Sequence, residues 1–280
     1  MPVLVTLDGM VQDPDKPLLC ADDMAALRGD GIFETILVRD GRPRMLQMHL
    51  ERLVKSAEAL DIPEPDVSKW LRAIEVATAE WGKSEGMMRL VYSRGRESGD
   101  APTGFVSVSP VGERVEGARR DGISVLTLPR GISVELGTKA PWQLLGAKTL
   151  SYATNMAALR HAARNNADDV IFVSTEGRVL EGPRSTVVVA TGKTLRTPPH
   201  ADAILAGTTQ RAMFDVAPKH GFTCEYAPLF PADLIRADAV WLVSSVTLAA
   251  RVHTLDGLAL SRHPVADEVD AIVADAVDVG

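Results

Sequence analysis

The feature that most constrains the fold is a single change of pattern along the chain. Over residues 1 to about 118, β-rich runs at 32–38, 87–93 and 105–109 alternate with two segments whose apolar residues return every three or four positions. The first is Leu46, Leu50, Leu53, Ala57 and Leu60; the second is Val67, Trp70, Leu71, Ile74 and Trp81. That period puts each set on one face of an α-helix, so the first part predicts a small α+β lobe. Beyond it the β-branched runs shorten (123–128, 170–173, 186–190, 240–243), and helices are expected at 149–166, 208–220 and 264–278. This part predicts a larger, strand-rich, barrel-like lobe. The polar, glycine-rich stretch at 112–122 reads as the linker, which places the domains at 1–118 and 119–280. A chain of 280 residues is long enough for two such lobes.

Charge and cysteine usage exclude several classes of function. The net charge is -7, whereas a nucleic-acid or anionic-membrane partner needs a basic face. No apolar run approaches membrane-spanning length, and the start of the chain, through Asp8-Gly9, reads as a short strand and turn rather than a secretion signal. Cys20 and Cys224 have no close-spaced partners, so two free thiols and a reducing, cytoplasmic compartment are expected. The six histidines form no i,i+4 pair, so no metal is expected. Nucleotide-binding glycine loops and a serine-nucleophile elbow are also missing from the sequence.

The chemistry concentrates elsewhere. Lys148 lies in Gly146-Ala147-Lys148-Thr149-Leu150-Ser151-Tyr152, after an apolar approach containing Pro141 and Trp142. Partial desolvation there disfavours the ammonium form and exposes a lone pair, as a Schiff-base lysine requires. The bland alternative is a helix-start lysine whose head reaches water. Glu181 follows a Glu-Gly turn and precedes the Val187-Val188-Val189 run, where a carboxylate needs a partner. His49 and Arg52 share a helix face, and an inward arginine there would clamp an anion. Gly207, Thr208 and Thr209 open a helix whose amides and hydroxyls could take an anion; Ser244 and Ser245 end a strand and could add two more hydroxyls. Each of these also has an ordinary reading as a solvated charge or a helix cap.

Taken in order, Gly29-Asp30-Gly31-Ile32-Phe33-Glu34-Thr35, His49-x-x-Arg52-Leu53, Lys148-x-Leu150, Glu181-Gly182 before Ser185, and Leu205-x-Gly207-x-Thr209 resemble the fold-type IV pyridoxal-phosphate enzymes. That family holds branched-chain and D-amino-acid aminotransferases and aminodeoxychorismate lyase. The resemblance implies a small α+β lobe, a larger pseudo-barrel lobe, the cofactor between them, and a homodimer. It implies that Lys148 forms the Schiff base and moves protons, and that Glu181 pairs with the pyridine nitrogen. Arg52, Gly207, Thr208, Thr209, Ser244 and Ser245 would hold the phosphate, while Phe33, Arg94 and Arg96 would meet the substrate. Two positions depart from the family: Thr186 stands where Asn is common, and Gln210 where Arg is common.

The resemblance leaves two reactions open. The Tyr92-Ser93-Arg94-Gly95-Arg96 segment resembles the lyases and could receive the carboxylates of 4-amino-4-deoxychorismate, which favours a lyase yielding 4-aminobenzoate and pyruvate. An aminotransferase of D-amino or branched-chain amino acids is the alternative. A ligand-binding homologue without catalysis is the second alternative, since fold alone does not fix function.

Overall fold

A computed structural model describes residues 1–278, which divide into two compact units. The first contains Met1–Gly112 and Ala147–Tyr152; the second contains Glu113–Gly146 and the chain from Ala153 onward.

In chain order, the first unit contains β1 (Val3–Thr6), β2 (Val11–Gln12), α1 (Met24–Arg28), β3 (Gly31–Arg39), β4 (Arg42–Pro43), α2 (Leu46–Ala59), α3 (Val67–Trp81), β5 (Gly86–Ser93) and β6 (Thr103–Pro110). Its strands form one antiparallel sheet in the order β2-β1-β6-β5-β3-β4. The two helices expected from periodicity are present: α2 buries the expected Leu50, Leu53 and Ala57, whereas α3 buries Trp70, Ala73, Ile74 and Ala77 and leaves the expected Val67 and Leu71 exposed. Asp66 starts α3 by accepting from the amides of Ser68 and Lys69 at 3.0 and 3.4 Å, which satisfies donors that the helix itself cannot.

The second unit begins with α4 (Glu113–Asp121), then β7 (Ile123–Pro129), α5 (Leu136–Lys139), α6 (Ala153–Arg164), β8 (Asp169–Val173), β9 (Thr186–Thr191), β10 (Thr194–Thr197) and α7 (Thr208–Val216). It continues through β11 (Thr223–Tyr226), α8 (Pro231–Arg236), β12 (Ala239–Ser244), β13 (Leu248–Leu255), β14 (Leu258–Ala259) and α9 (Val265–Asp278). The strands make one mixed sheet, ordered β11-β10-β9-β12-β13-β7-β8, with β14 on β13. Strands β8, β9 and β12 are apolar on both faces because both are covered. β8 sends Ile171 into one core cluster with Val125, Val187 and Leu242, and Val170 and Phe172 into another with Ala162, Leu180 and Ile204.

Two sequence expectations require correction. The 112–122 stretch is not a linker: Glu113–Asp121 is helical, and the units part after Gly112 rather than at residue 118. Glu113 and Glu116 at its start and Arg119 and Arg120 at its end match the helix dipole, a signal that the low apolar content obscured. Nor does the helix begin at residue 149. Thr149 forms an antiparallel bridge with Ile32, and α6 starts only at Ala153. The reason lies in β3, whose partner β4 covers only Val38 and Arg39. The uncovered edge at Gly31–Phe33 has main-chain groups to satisfy, and the segment carrying Lys148 satisfies them.

Candidate active site

In the first unit, Lys148 is held by its own backbone. Its carbonyl accepts from Phe33 N at 3.0 Å, its amide donates to Ser56 Oγ at 3.2 Å, and Leu150 N donates to Gly31 O at 2.8 Å. Gly31 is required there, because a Cβ would come 2.7 Å from Leu150 Cδ1 and 2.8 Å from Tyr92 O. Lys148 is half-buried, with Nζ 4.4 Å from the centroid of the Phe33 ring, whose other neighbour is Tyr152, edge-on at 5.4 Å. A lysine seated over an aromatic face is held by cation–π attraction. The bland sequence reading of a helix-start lysine does not describe this strap.

Beside it lies a charged group that the sequence reading named only within a motif. Glu34 is wholly buried on β3, where its carboxylate accepts from His49 Nδ1 at 2.7 Å and from Arg52 Nε and Nη2 at 2.7 and 2.8 Å. Arg52 therefore clamps an anion in two-pronged fashion, and that anion is Glu34. The helical spacing of His49 and Arg52 showed that they share a face. Their partner, on a strand 15 and 18 residues earlier, left no local signal.

Burial opposes ionisation of Glu34, and the Arg52 guanidinium overcomes that opposition, holding the carboxyl well below the usual carboxylate range. Burial also holds the His49 imidazole below its ordinary value of 6.5, so at neutral pH it is uncharged and serves Glu34 as a hydrogen-bond donor. Both groups resist protonation when folded and accept it readily when unfolded. Stability is therefore expected to fall on acidification, first below about pH 6.5 through His49 and then below about 4.5 through Glu34. Urea midpoints at pH 7, 5.5 and 4 read this directly, and Glu34→Gln should flatten the lower step. A level midpoint across that range contradicts the assignment. Arg52→Ala removes the charged partner of Glu34 and leaves its carboxylate with the uncharged donors His49 and the Thr35 amide, so a loss on the order of 3 kcal/mol in urea unfolding is expected; a loss under about 1 kcal/mol would mean that the pair is solvated.

Arg94 and Arg96 behave differently from each other. Arg94 donates to both oxygens of Asp30 (2.7 and 3.3 Å) and to the carbonyls of Leu60 and Asp61 (2.7 and 3.0 Å). Four of its five N–H groups are thus spent bracing the end of β5 against the end of α2. That is a structural strut, at odds with the expected substrate contact. Arg96 is more exposed and pairs with Asp22 through Nε at 2.8 Å.

In the second unit, Glu181 follows a turn closed by Gly177, and its Oε2 accepts from Leu205 N at 3.1 Å. The segment after it is pinned by Asn155, whose Nδ2 donates to Pro183 O at 2.7 Å, and by Arg184, whose Nη2 reaches Asp169 at 3.3 Å. Neither tie was foreseen. Leu205 leads into Gly207, the N-cap of α7, which offers no side-chain acceptor to the helix amides. A Cβ at Gly207 would lie 2.3 Å from Thr186 Oγ1, so glycine lets the helix start close to β9. Thr208 Oγ1 is 3.3 Å from Ser245 Oγ, which brings the end of β12 and its turn to the start of α7. Thr209 is buried, and its Oγ1 has no partner among the described residues. An orphaned buried hydroxyl beside two others at a helix N-terminus fits an anionic group such as a phosphate. Gln210, at the position of the expected arginine, is fully buried, and its Nε2 donates to Tyr226 Oη at 3.1 Å. Among the described residues, no three His, Cys, Asp or Glu side chains are placed to hold a metal, and no helix is long and apolar enough to cross a membrane.

Comparison with known proteins decides the family. The amino-transferase class IV family matches residues 31–255, which contain Lys148, Glu181 and every hydroxyl of the helix N-terminus. The chain belongs to the class IV aminotransferases. Among class IV relatives, it is 58% identical to a bifunctional aminodeoxychorismate lyase / D-amino acid transaminase from Mycobacterium tuberculosis, over 99% of each chain. Solved structures of a hypothetical aminotransferase from the same organism align with it at TM-score 0.97. The PLP-bound form is 57% identical, covering 99% of each chain; the form with α-ketoglutarate and PMP bound is 58% identical, covering 98% of each. A fold IV transaminase from Curtobacterium pusillum aligns at TM-score 0.93 with 40% identity over 99% of both chains. The mixed α/β architecture is thus the fold-type IV one.

Proposed function

We propose that this chain is a pyridoxal-phosphate enzyme that cleaves 4-amino-4-deoxychorismate to 4-aminobenzoate and pyruvate, a step of folate biosynthesis, and that also transaminates D-amino acids. The observation that carries this reading is the 58% identity, over essentially the whole of both chains, to a relative named for both activities. The sequence posed the two reactions as alternatives; a single relative bearing both names removes the need to choose.

When bound, the cofactor supplies an electron sink for a carbanion. The chain supplies the rest. Lys148 is the covalent attachment point and the base that removes the proton from the carbon bearing the substrate nitrogen. Its strap on β3 and its seat over Phe33 limit where Nζ can travel. Glu181, oriented by the Leu205 amide, keeps the ring nitrogen protonated. Thr208, Thr209, Ser244 and Ser245, with Gly207 allowing close approach, hold the phosphate, and Arg52 adds positive charge. Phe33 borders the substrate, and Arg96 is the better candidate for a substrate carboxylate because Arg94 is spent on Asp30 and two carbonyls. Both reactions share the proton removal. The lyase then expels the enolpyruvyl group as the ring becomes aromatic and needs no second substrate, whereas transamination needs a keto acid. The enzyme works, on this reading, as a cytoplasmic homodimer.

Given aminodeoxychorismate alone, the purified enzyme should release 4-aminobenzoate and pyruvate in equal amounts over many turnovers, and given D-alanine with α-ketoglutarate it should yield pyruvate. Transamination without 4-aminobenzoate would remove the lyase assignment. Neither product from cofactor-saturated protein would leave a binding protein.

A further inference from the structure

The two arginines that end α4 reach different targets. Arg120 pairs with its neighbour Asp121 on the exposed side. Arg119 turns inward to a residue 127 positions away: its Nε donates to Val246 O at 3.1 Å, and its Nη2 donates to the same oxygen. Val246 lies in the turn between β12 and β13, directly after Ser245, whose hydroxyl meets Thr208 at the start of α7. The turn ends at Leu248, which takes a left-handed conformation at φ 63°. A trans peptide is planar, so fixing the Val246 carbonyl also fixes the direction of the Thr247 amide on the opposite side. Two donors from one charged group on one neutral acceptor make a strong restraint. Packing gives α4 little other hold, since Ala118 is its one buried residue among those described.

We propose that Arg119 is a positioning residue for the phosphate-binding turn: it holds Ser244-Ser245-Val246 in place through the Val246 carbonyl and so raises affinity for the cofactor's phosphate group without touching it. The inference rests on the assignment of Thr208 and Ser245 to the phosphate made above. A residue that merely stabilised the fold would affect every ligand alike, whereas this one distinguishes ligands with and without phosphate.

The test titrates cofactor-free protein with pyridoxal phosphate and with pyridoxal, following tryptophan fluorescence, for the parent, R119M, R119K, S245A and the R119M/S245A double variant. R119M should weaken pyridoxal phosphate binding about tenfold, the equivalent of one hydrogen bond to a charged donor, and leave pyridoxal binding unchanged. R119K, with one donor site in place of a fork, should fall between R119M and the parent, and it carries the test if R119M does not fold. In the S245A background the Arg119 effect should shrink to less than about twofold, because the two residues act on one turn. Equal losses for both ligands, no loss in R119M, or the full loss persisting in S245A would each overturn the inference. If S245A itself leaves pyridoxal phosphate affinity unchanged, the phosphate assignment fails and takes this inference with it.

Discussion

Lys148→Ala is expected to lower both the lyase and the transaminase rates by at least about a thousandfold, because on the proposed reading one side chain would supply both the covalent attachment and the proton transfer. The backbone contacts of residue 148 with Phe33 and Ser56 do not depend on the side chain, so the variant should fold and keep the strap. Cofactor should then bind without a borohydride-reducible link, held by the phosphate contacts alone. Steady-state rates on aminodeoxychorismate and on D-alanine, measured with cofactor in excess, check this. A variant retaining a tenth of either rate would show that another group performs the chemistry.

Glu181→Ala should separate attachment from turnover. On the proposed reading the carboxylate would hold the cofactor's ring nitrogen, and removing a preorganised electrostatic partner of that kind costs roughly a hundred- to a thousandfold in rate. Lys148 lies in the other unit and its supports are local, so the borohydride-reducible link should survive in this variant. Near-parental turnover at saturating cofactor would reduce Glu181 to a structural acceptor for Leu205 N. Loss of the covalent link along with turnover would mean that the substitution had disturbed more than the ring partner.

How much could be read from the sequence depends on the range of the interaction. Local periodicity announced α2 and α3, although on α3 only Trp70 and Ile74 of the spaced apolar residues are buried. Glu181 and the Gly207-Thr208-Thr209 helix start sit at a turn and a helix end whose signals are also local, whereas Lys148, in an extended strap, stood out through its motif. What stayed hidden were pairings made across the chain. The strap at residues 147–152 is strand-like because of a vacant edge on β3, more than a hundred residues earlier, and nothing within the segment itself opposes a helix. Glu34 entered only as part of a motif, because its partners His49 and Arg52 lie on α2. Arg94 and Arg96 looked equivalent in a short loop; only the positions of Asp30, Leu60 and Asp61 set them apart. Helix α4 was missed because its hold is the long reach of Arg119 and not an apolar face.

One lysine serves both proposed reactions, and graded borohydride reduction of the cofactor-bound enzyme tests that most directly. Samples reduced to increasing extents are assayed for 4-aminobenzoate release and for D-alanine transamination, and each is then digested and its cofactor-bearing peptide mapped. The two activities should decline together, in proportion to label, and reach zero at one cofactor per chain attached to Lys148. Label on Lys139, or either activity surviving complete labelling, would contradict it.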